Sequence, residues 1–289
     1  MASDFCLICQ TSLSTKLQSW HRVCEQCGYE TSTLEPQINS TDTQYVIDEA
    51  AREVGLRALR EDNFKSLLKE ILKSKPTGGT LLEVGCAHGW FLRLAQASFD
   101  VLGVEPDEYI YEARLKNALP VRHGYFPNVL NEKEKFDVIV FNDVFEHIPD
   151  ASAALRSCRE HLNTDGILVI NLPDSDGFFY RASKILTQLK ASNFFSRMWQ
   201  VGLPSPHIHY FNRRVMTNFL EHGGFDVIQA GHLHSVRLPG LYARVSYTKT
   251  TQSRWLTILI YVGIVLSLPI LRLLPGDILY VIATPTKRI

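Results

Sequence analysis

Residues 80–92 read TLLEVGCAHGWFL, a short apolar run followed by a loop of small residues and the start of a helical pattern. A ligand can approach the backbone closely at Gly85 and Gly89, because neither residue carries a Cβ atom. The dinucleotide-binding pattern GxGxxG would need glycine at the positions where Ala87 and Trp90 stand. The stretch therefore predicts a strand, a ligand-binding loop and a helix, and it disfavours a pyrophosphate as the ligand.

Outward from this loop, short apolar runs alternate with helical patterns along most of the chain. The runs predict strands at 80–84, 100–105, 119–122, 137–142, 166–171, 225–231 and 277–283. The helical patterns predict helices at 45–74, 89–97, 107–117, 150–162 and 212–222. Continuous apolar runs, such as ILVI at 167–170, are typical of strands buried on both faces of a parallel sheet. The alternation indicates an α/β fold with a doubly wound, Rossmann-like sheet.

The composition excludes several classes of protein. The 289 residues are 45% hydrophobic and 21% charged, which excludes a disordered or collagen-like chain. Lys plus Arg and Asp plus Glu number 30 each, and this balance argues against a dedicated nucleic-acid-binding protein. Residues 1–10 contain no basic segment followed by an apolar stretch, so we predict no secretory signal and a cytoplasmic protein.

Four of the six cysteines lie in the first 27 residues, as two CxxC pairs with 14 residues between them. Two such pairs can present four thiolates to one Zn²⁺ in a tetrahedron. Since sulfur would fill every position, the zinc would be structural and would have no open site for catalysis. A redox-active pair is the weaker alternative, because neither pair begins a helix after a strand. We therefore predict a zinc ribbon with the ligands Cys6, Cys9, Cys24 and Cys27.

The chain is expected to divide into three parts. The zinc ribbon occupies 1–35, a helical linker occupies 36–78, and the main α/β domain occupies 79–289 with insertions at 174–206 and 233–276. The first insertion is rich in aromatic and basic residues and follows the fifth predicted strand. Because ligands bind at the carboxyl edge of open α/β sheets, we expect this insertion to form a lid there.

Four ordered segments resemble the class I S-adenosylmethionine-dependent methyltransferases. The first motif of that family reads approximately (D/E)xGxGxG, and residues 83–89 match it with alanine at the middle glycine. The second segment is VLGVEP at 101–106, whose glutamate follows the first motif's glutamate by 22 residues. The third reads FDVIVFNDVFEHIPD at 136–150, and the fourth reads DGILVINLP at 165–173. A later segment, HIHYF at 207–211, resembles the branch of the family that is often attached to small-molecule and glycan pathways.

The resemblance implies a mostly parallel sheet with an antiparallel last strand, and S-adenosylmethionine as the cofactor. Glu105 would accept hydrogen bonds from both ribose hydroxyls. The family's acidic residue after the third strand is missing from 121–126, so the contact with adenine is unassigned. The residues expected at the cofactor are Glu83, Gly85, Cys86, Ala87, Gly89, Glu105, Pro106, Asn142, Asp143 and Phe145.

Three histidines are candidates for deprotonating or binding the methyl acceptor. A hydroxyl or an acidic carbon needs a base before it can accept a methyl group, and histidine suits that role near neutral pH. His147 follows the predicted strand at 137–142, and we predict that it acts as a base or contacts the methyl acceptor. His207 and His209 close the first insertion, and we expect them to line the acceptor site. Packing is the alternative role for all three. A second metal site is not predicted, because no carboxylate has ligand spacing with these histidines.

A run of 17 uncharged residues, 255–271, lies between Arg254 and Arg272. A transmembrane helix usually needs about 20 such residues, and a single span would separate two strands that are expected to pair. The sequence leaves two other interpretations open. One is an ordinary buried helix, and the other is an element at 255–274 that contacts a membrane surface or a lipid acceptor.

Together these features predict an S-adenosylmethionine-dependent methyltransferase for a small-molecule or sugar-containing acceptor, which includes lipid-linked acceptors. One alternative is an RNA-base methyltransferase that binds RNA through the ribbon. The net charge of −2 over 1–35 opposes it, as does NDVF at 142–145 in place of a (D/N)PP(Y/F) motif. The other alternative is a non-catalytic module that binds the cofactor or a partner. The sequence carries no signal for oligomeric state.

Overall fold

Two β-sheets organise the part of the chain that the computed structural model describes, which comprises residues 4–39, 49–115, 119–190, 193–233, 235–236, 238, 240–242, 254–271, 273–274 and 276–287. The strands are β1 (Ser14–Thr15), β2 (His21–Val23), β3 (Glu30–Ser32), β4 (Thr80–Val84), β5 (Asp100–Glu105), β6 (Val121–His123), β7 (Phe136–Asn142), β8 (Leu162–Pro173), β9 (His209–Tyr210), β10 (Phe225–Leu233) and β11 (Ile278–Pro285). The helices are α1 (Glu49–Ser74), α2 (Trp90–Ala95), α3 (Glu108–Leu115), α4 (Ala151–His161), α5 (Phe178–Gln188), α6 (Phe194–Met198), α7 (Arg213–His222) and α8 (Arg254–Leu271).

The larger sheet has seven strands in the order β10–β11–β8–β7–β4–β5–β6. The five strands from β8 to β6 are parallel, whereas β11 pairs antiparallel with both β8 and β10. This is the doubly wound, Rossmann-like sheet with an antiparallel last strand that the sequence predicts, and the fold class is confirmed. The predicted elements lie within a few residues of the observed ones, and the predicted helical residues 45–48 and 116–117 lie outside the described part of the chain. The strand β8 is longer than predicted, because it begins at Leu162, directly where α4 ends.

The core lies on both faces of this sheet, as the continuous apolar runs predict. Alternate residues of each central strand point to opposite faces, so Leu81 and Val138 pack with α1 and α2, whereas Leu82 and Ile139 pack with α4 and α7. All four side chains are fully buried. Because both faces are covered by helices, the ligand-binding groups of this sheet are confined to the ends of its strands.

The smaller sheet joins the cysteine-rich segment to the main domain. Its order is β1–β2–β3–β9, and β3 pairs antiparallel with β9, which comes from residues that follow the first insertion. Cys6 and Tyr29 pack in the same hydrophobic cluster as Phe211 and the α4–α7 side of the large sheet. The segment expected to form a ribbon over residues 1–35 is therefore completed by a strand from elsewhere in the chain.

A buried carboxylate fixes this smaller sheet to the first insertion. The carboxylate of Glu30 accepts hydrogen bonds from His21 Nε2 at 2.8 Å, from the Tyr180 hydroxyl at 2.7 Å and from Lys184 Nζ at 2.8 Å. Burial alone would raise the pKa of Glu30, but these partners together hold it below its usual value. Because the three donors come from β2 and α5, the N-terminal sheet and α5 are held as one packed unit.

The apolar run of the second insertion forms α8. Among the helices that the structure describes, none has the length and the apolar character that crossing a bilayer requires. The strands on either side of this insertion, β10 and β11, pair with each other along their length, with Leu233 opposite Ile278. Both ends of the insertion therefore leave the sheet at the same edge.

Candidate active site

A cavity of about 960 Å³ opens at the carboxyl edge of β4, β5 and β7. The loops after these three strands form its floor, and α1, residues 36–39 and residues 200–205 form its walls. The last of these segments belongs to the first insertion, which was expected to form a lid. The edge of the sheet that carries the cavity is the one at which open α/β folds bind their ligands.

The loop after β4 has the tight backbone that its small residues indicate. Gly85, Ala87 and Gly89 all adopt positive φ angles, of 68°, 40° and 63°. The amide of Gly85 donates a hydrogen bond to the carbonyl of Val104 at 2.7 Å, which ties the loop to β5. A Cβ atom on Gly85 would lie 2.6 Å from a methyl group of Val144, so only glycine fits at the point where the loops after β4 and β7 meet.

Glu105 ends β5 with its carboxylate fixed at the cavity wall. One oxygen accepts a hydrogen bond from the Ala87 amide at 2.7 Å, and the other accepts one from the Asp107 amide at 2.9 Å. Burial raises the pKa of Glu105 to about 7, although both amides act in the opposite direction. The carboxylate is thus held between the two loops, with its position set by the backbone of each.

Glu83 lies behind the cavity wall. Its carboxylate is fully buried and accepts a hydrogen bond from the Asn142 side-chain amide at 2.8 Å. Burial raises the pKa of Glu83 to about 8, and the nearby charge of Glu105 adds to the rise. Glu83 therefore does not line the cavity itself, and its carboxylate contacts the Asn142 amide, which does.

Three other residues expected at the cofactor also lie behind the lining. The side chains of Cys86 and Phe145 are buried in the two cores on either side of the sheet. Gly89 serves as the residue before α2 and shapes the loop rather than its surface. The expected residues that do line the cavity are Gly85, Ala87, Glu105, Pro106, Asn142 and Asp143.

Asp143 has a strained backbone and a cationic partner. Its φ angle of 53° is unusual for a residue with a side chain, and such strain tends to occur at functional sites. Arg60 of α1 reaches across the cavity, and its guanidinium lies 3.2 Å from the Asp143 carboxylate. Arg60 was not predicted from the sequence. It lies on a helix 83 residues before Asp143, and no local sequence motif indicates that the two residues meet.

His147 lines the cavity at the end of a short 3₁₀ turn, Phe145–His147. Its Nδ1 atom lies 2.9 Å from the carbonyl oxygen of Pro206. A carbonyl oxygen only accepts hydrogen bonds, so Nδ1 carries a proton and, whenever the ring is neutral, Nε2 holds the lone pair. This arrangement gives His147 the tautomer that a general base requires.

A buried carboxylate lies next to this histidine. Glu146 Oε1 is 3.8 Å from His147 Nε2 and 4.0 Å from His207 Nε2, and neither carboxylate oxygen has a hydrogen-bond partner among the described residues. Burial holds the pKa of Glu146 well above its usual range. The ligand atoms of these three residues lie within 4.8 Å of one another, a grouping that could hold a metal ion. Glu146 gives no local sequence signal for this grouping, because His207 is distant in the chain.

His207 and His209 were candidates for the acceptor site, but neither residue lines this cavity. Both rings are buried, and burial lowers the pKa of His209 to about 4 and that of His207 well below its usual value. His209 lies between the Tyr29 hydroxyl and the carbonyl of Ile148, which its Nε2 contacts at 2.9 Å. Because β9 pairs with β3, this segment packs inward against the N-terminal sheet and supports the cavity wall from behind.

The cavity has the features that S-adenosylmethionine needs. The loop after β4 lets a ligand approach the backbone, and the Glu105 carboxylate stands where paired hydroxyls can reach it. Tyr125 and Phe126 also line the cavity and offer aromatic surface on the side where no acidic residue follows β6. The residues present therefore fit this cofactor.

The four N-terminal cysteines lie together in the structure. Cys6 Sγ is 3.4 Å from Cys27 Sγ, and Cys9 Sγ is 3.4 Å from Cys24 Sγ. The four sulfur atoms all lie within 4.8 Å of one another. Such a set suits a tetrahedral ion that binds sulfur, because bonds of about 2.3 Å place neighbouring thiolates at similar separations. The donor set therefore fits zinc.

Comparison with known proteins places the chain in a family. A family profile described as “Methyltransferase domain” matches residues 56–230, which is more than half of the chain. The Ubiquinone biosynthesis O-methyltransferase of Haemophilus ducreyi is 29% identical over 106 residues, and the match covers 32% of this chain and 45% of that protein. The protein of the same name from Paramagnetospirillum magneticum is 35% identical over 98 residues, covering 32% and 39%. The chain thus spans less than half the length of these relatives.

Solved structures show the same fold at low sequence identity. A SAM-dependent methyltransferase from Thermotoga maritima superposes with a TM-score of 0.52 at 17% identity, covering 83% of this chain and 95% of that one. Magnesium protoporphyrin IX methyltransferase from Synechocystis, with bound SAH, gives a TM-score of 0.50 at 14% identity, covering 80% and 86%. With the profile match and the sheet topology, these findings establish that the chain belongs to the methyltransferase-domain family and carries a class I S-adenosylmethionine-dependent methyltransferase domain.

Proposed function

We propose that the chain transfers the methyl group of S-adenosylmethionine to a hydroxyl oxygen of a small-molecule acceptor, with His147 as the general base. The observation that carries this proposal is the 2.9 Å contact between His147 Nδ1 and the Pro206 carbonyl, at the wall of the cavity. That contact keeps a proton-accepting nitrogen at Nε2. The names of the relatives, which are O-methyltransferases, support oxygen as the acceptor atom.

The residues that would hold the cofactor are those at the ends of β4, β5 and β7. Gly85 and Ala87 would face the methionine part of the cofactor, and Glu105 would accept hydrogen bonds from its ribose hydroxyls. Asn142 and Asp143 would lie at the floor of the cavity beneath it. Pro106 would lie beside the ribose. When bound, the cofactor supplies a methyl group made electrophilic by the sulfonium. The chain's own contribution is to place the acceptor oxygen in line with that methyl group, and such orientation is worth roughly 7–11 kcal/mol of barrier.

Proton removal would complete the reaction on the acceptor side. His147 Nε2 would take the hydroxyl proton as the oxygen–carbon bond forms, and the Pro206 carbonyl would stabilise the imidazolium through Nδ1. Gln200, Leu203 and Ser205 line the same part of the cavity and would enclose the acceptor. This half of the site combines apolar and neutral polar groups, which suits an uncharged small molecule or sugar.

We also propose a structural zinc ion on Cys6, Cys9, Cys24 and Cys27. The approach of the four sulfur atoms supports it, as does the small size of this segment, which leaves it too little core of its own. The ion would hold the turns on either side of β1 and β2 and would take no part in methyl transfer.

The test is an assay for S-adenosylhomocysteine formation with a panel of acceptors. The panel would contain catechols with and without a polyprenyl tail, free and lipid-linked sugars, primary amines and transfer RNA, each with and without added Mg²⁺. Turnover with a hydroxyl acceptor that falls in His147→Ala by about 10²–10⁴-fold is expected. Turnover confined to amines or RNA, or equal turnover in the variant, would contradict the proposal.

A further inference from the structure

An apolar stripe runs along the exposed face of α8. Trp255, Leu259 and Leu266 are 75%, 67% and 74% exposed, and Val262 continues the same line. Their spacing of three or four residues places them on one side of the helix. Leu268, on the opposite side, is only 6% exposed, so α8 packs on the protein with one face and leaves the other uncovered by the described residues.

The sequence around this stripe is strongly basic. The second insertion, residues 233–276, contains five Lys and Arg residues and no Asp or Glu residue. The remaining chain is correspondingly acidic, although the net charge of the whole is zero. Such an asymmetry produces a local positive field that a neutral net charge conceals.

The insertion that contains the stripe begins and ends at the edge of the sheet that carries the cavity. β8 ends and β11 begins there, and the Asp277 carboxylate accepts hydrogen bonds from the Phe179 amide at 2.7 Å and the Ser235 hydroxyl at 3.0 Å. These contacts tie the first turn of α5 to both ends of the second insertion. Further along α5, Ile185 and the following Leu189 are also exposed. Exposed apolar side chains thus occur on both α5 and α8, the helices that follow this edge of the sheet.

We propose that the exposed face of α8 docks on the surface of an anionic lipid bilayer. The apolar side chains would enter the boundary between headgroups and acyl chains, and the basic residues of 233–276 would meet the anionic headgroups. Trp255 stands at the start of the helix, next to Arg254, and tryptophan favours this interfacial depth. The helix would lie in the plane of the surface, since both ends of its insertion return to the same sheet.

This docking does not depend on the identity of the acceptor. It would, however, bring the carboxyl edge of the sheet close to the lipid, so an acceptor carried in the bilayer could reach the cavity without crossing bulk water. A charge-complementary lipid surface explains both the apolar stripe and the scarcity of acidic residues around it. A second copy of the chain would explain only the stripe, because two such basic regions repel each other.

The test is co-sedimentation of the full chain with vesicles. We expect binding to an equimolar mixture of phosphatidylcholine and phosphatidylglycerol, weaker binding in high salt, and little binding to phosphatidylcholine alone. The double substitution Leu259→Glu and Leu266→Glu should lower the partition coefficient by at least about tenfold, because two leucines leave the lipid. Ile228→Glu, which changes a half-exposed apolar residue of β10, is the matched control and should bind as the unmodified chain does.

A second measurement locates the helix. Brominated acyl chains should quench the fluorescence of the vesicle-bound protein, and Trp255→Phe should remove most of that quenching while sedimentation persists. The proposal is overturned if the mixed vesicles do not sediment the protein, or if the double substitution leaves binding unchanged. It is also overturned if light scattering shows a dimer that the double substitution dissociates while vesicles bind neither form, because the stripe would then be an interface between copies.

Discussion

The ionisation of Glu105 is expected to control the affinity for S-adenosylmethionine. Burial raises the pKa of this carboxyl to about 7, and only its ionised form can accept hydrogen bonds from both ribose hydroxyls. Affinity should therefore fall as the pH decreases through about 7, by about tenfold between about pH 8 and pH 6. Calorimetric titrations across this range check the prediction. In Glu105→Gln the dependence should disappear, and an unchanged slope would assign it to another group.

His147 and His209 are expected to respond differently to the same substitution. His147→Ala should lower turnover by about 10²–10⁴-fold while the affinity for S-adenosylmethionine stays within about twofold, because the side chain acts on the acceptor. His209→Ala should instead lower the melting temperature, since it leaves Tyr29 and the Ile148 carbonyl without their buried partner. Turnover, affinity and thermal unfolding measured on both variants separate the two roles. Equal loss of stability in both would make His147 a packing residue.

The sequence could predict those site residues that belong to one continuous motif. Gly85 and Glu105 each end or follow a strand, and their roles depend on backbone geometry that local sequence determines. Arg60 and Glu146 could not be found in this way. Arg60 reaches the cavity from a separate helix. Glu146 lies near His207 because the Ile208 amide donates a hydrogen bond to the Glu146 carbonyl, 62 residues earlier in the chain. Contacts of this kind depend on the tertiary fold.

At the scale of elements, the central strands β4, β7 and β8 were predictable because each contains a continuous apolar run. β9 has only two residues, and its pairing with β3 is set by packing rather than by a sequence pattern. The expectation that the first insertion forms a lid fails for α5, which packs on the N-terminal sheet through Tyr180 and Lys184. Residues 200–205 of the same insertion do reach the cavity. One insertion can thus contribute a helix that packs on the N-terminal sheet and a segment that lines the cavity.

The four cysteines of the N-terminal segment are expected to bind one zinc ion. Freshly purified, reduced protein should contain about one zinc per chain, and Cys24→Ser should lose it, because Cys24 would supply one of four ligands. Elemental analysis measures the metal. Cys158→Ser, which changes a buried cysteine of α4 far from the cluster in sequence, is the control and should retain zinc. Absence of zinc from the unmodified protein would contradict the assignment.

At the scale of the whole molecule, the two sheets are expected to unfold together. The β3–β9 pairing and the buried Glu30 network join the N-terminal sheet to the main domain, so neither sheet has a complete core without the other. Calorimetry of the zinc-loaded chain should show one cooperative transition, and removal of the metal should lower its midpoint. Two separate transitions, with only the weaker one sensitive to chelator, would indicate an independent ribbon.

The central claim is that the cavity at the carboxyl edge of the sheet binds S-adenosylmethionine through Glu105. Calorimetric titration of the full chain near pH 8 tests it most directly, with Glu105→Ala as the variant and Glu160→Ala, an exposed carboxylate of α4, as the control. We expect one cofactor per chain, a loss of about 1.5–3 kcal/mol of binding free energy in Glu105→Ala, and an unchanged affinity in the control. Absence of binding by the unmodified chain, or equal affinity in Glu105→Ala, would contradict the claim.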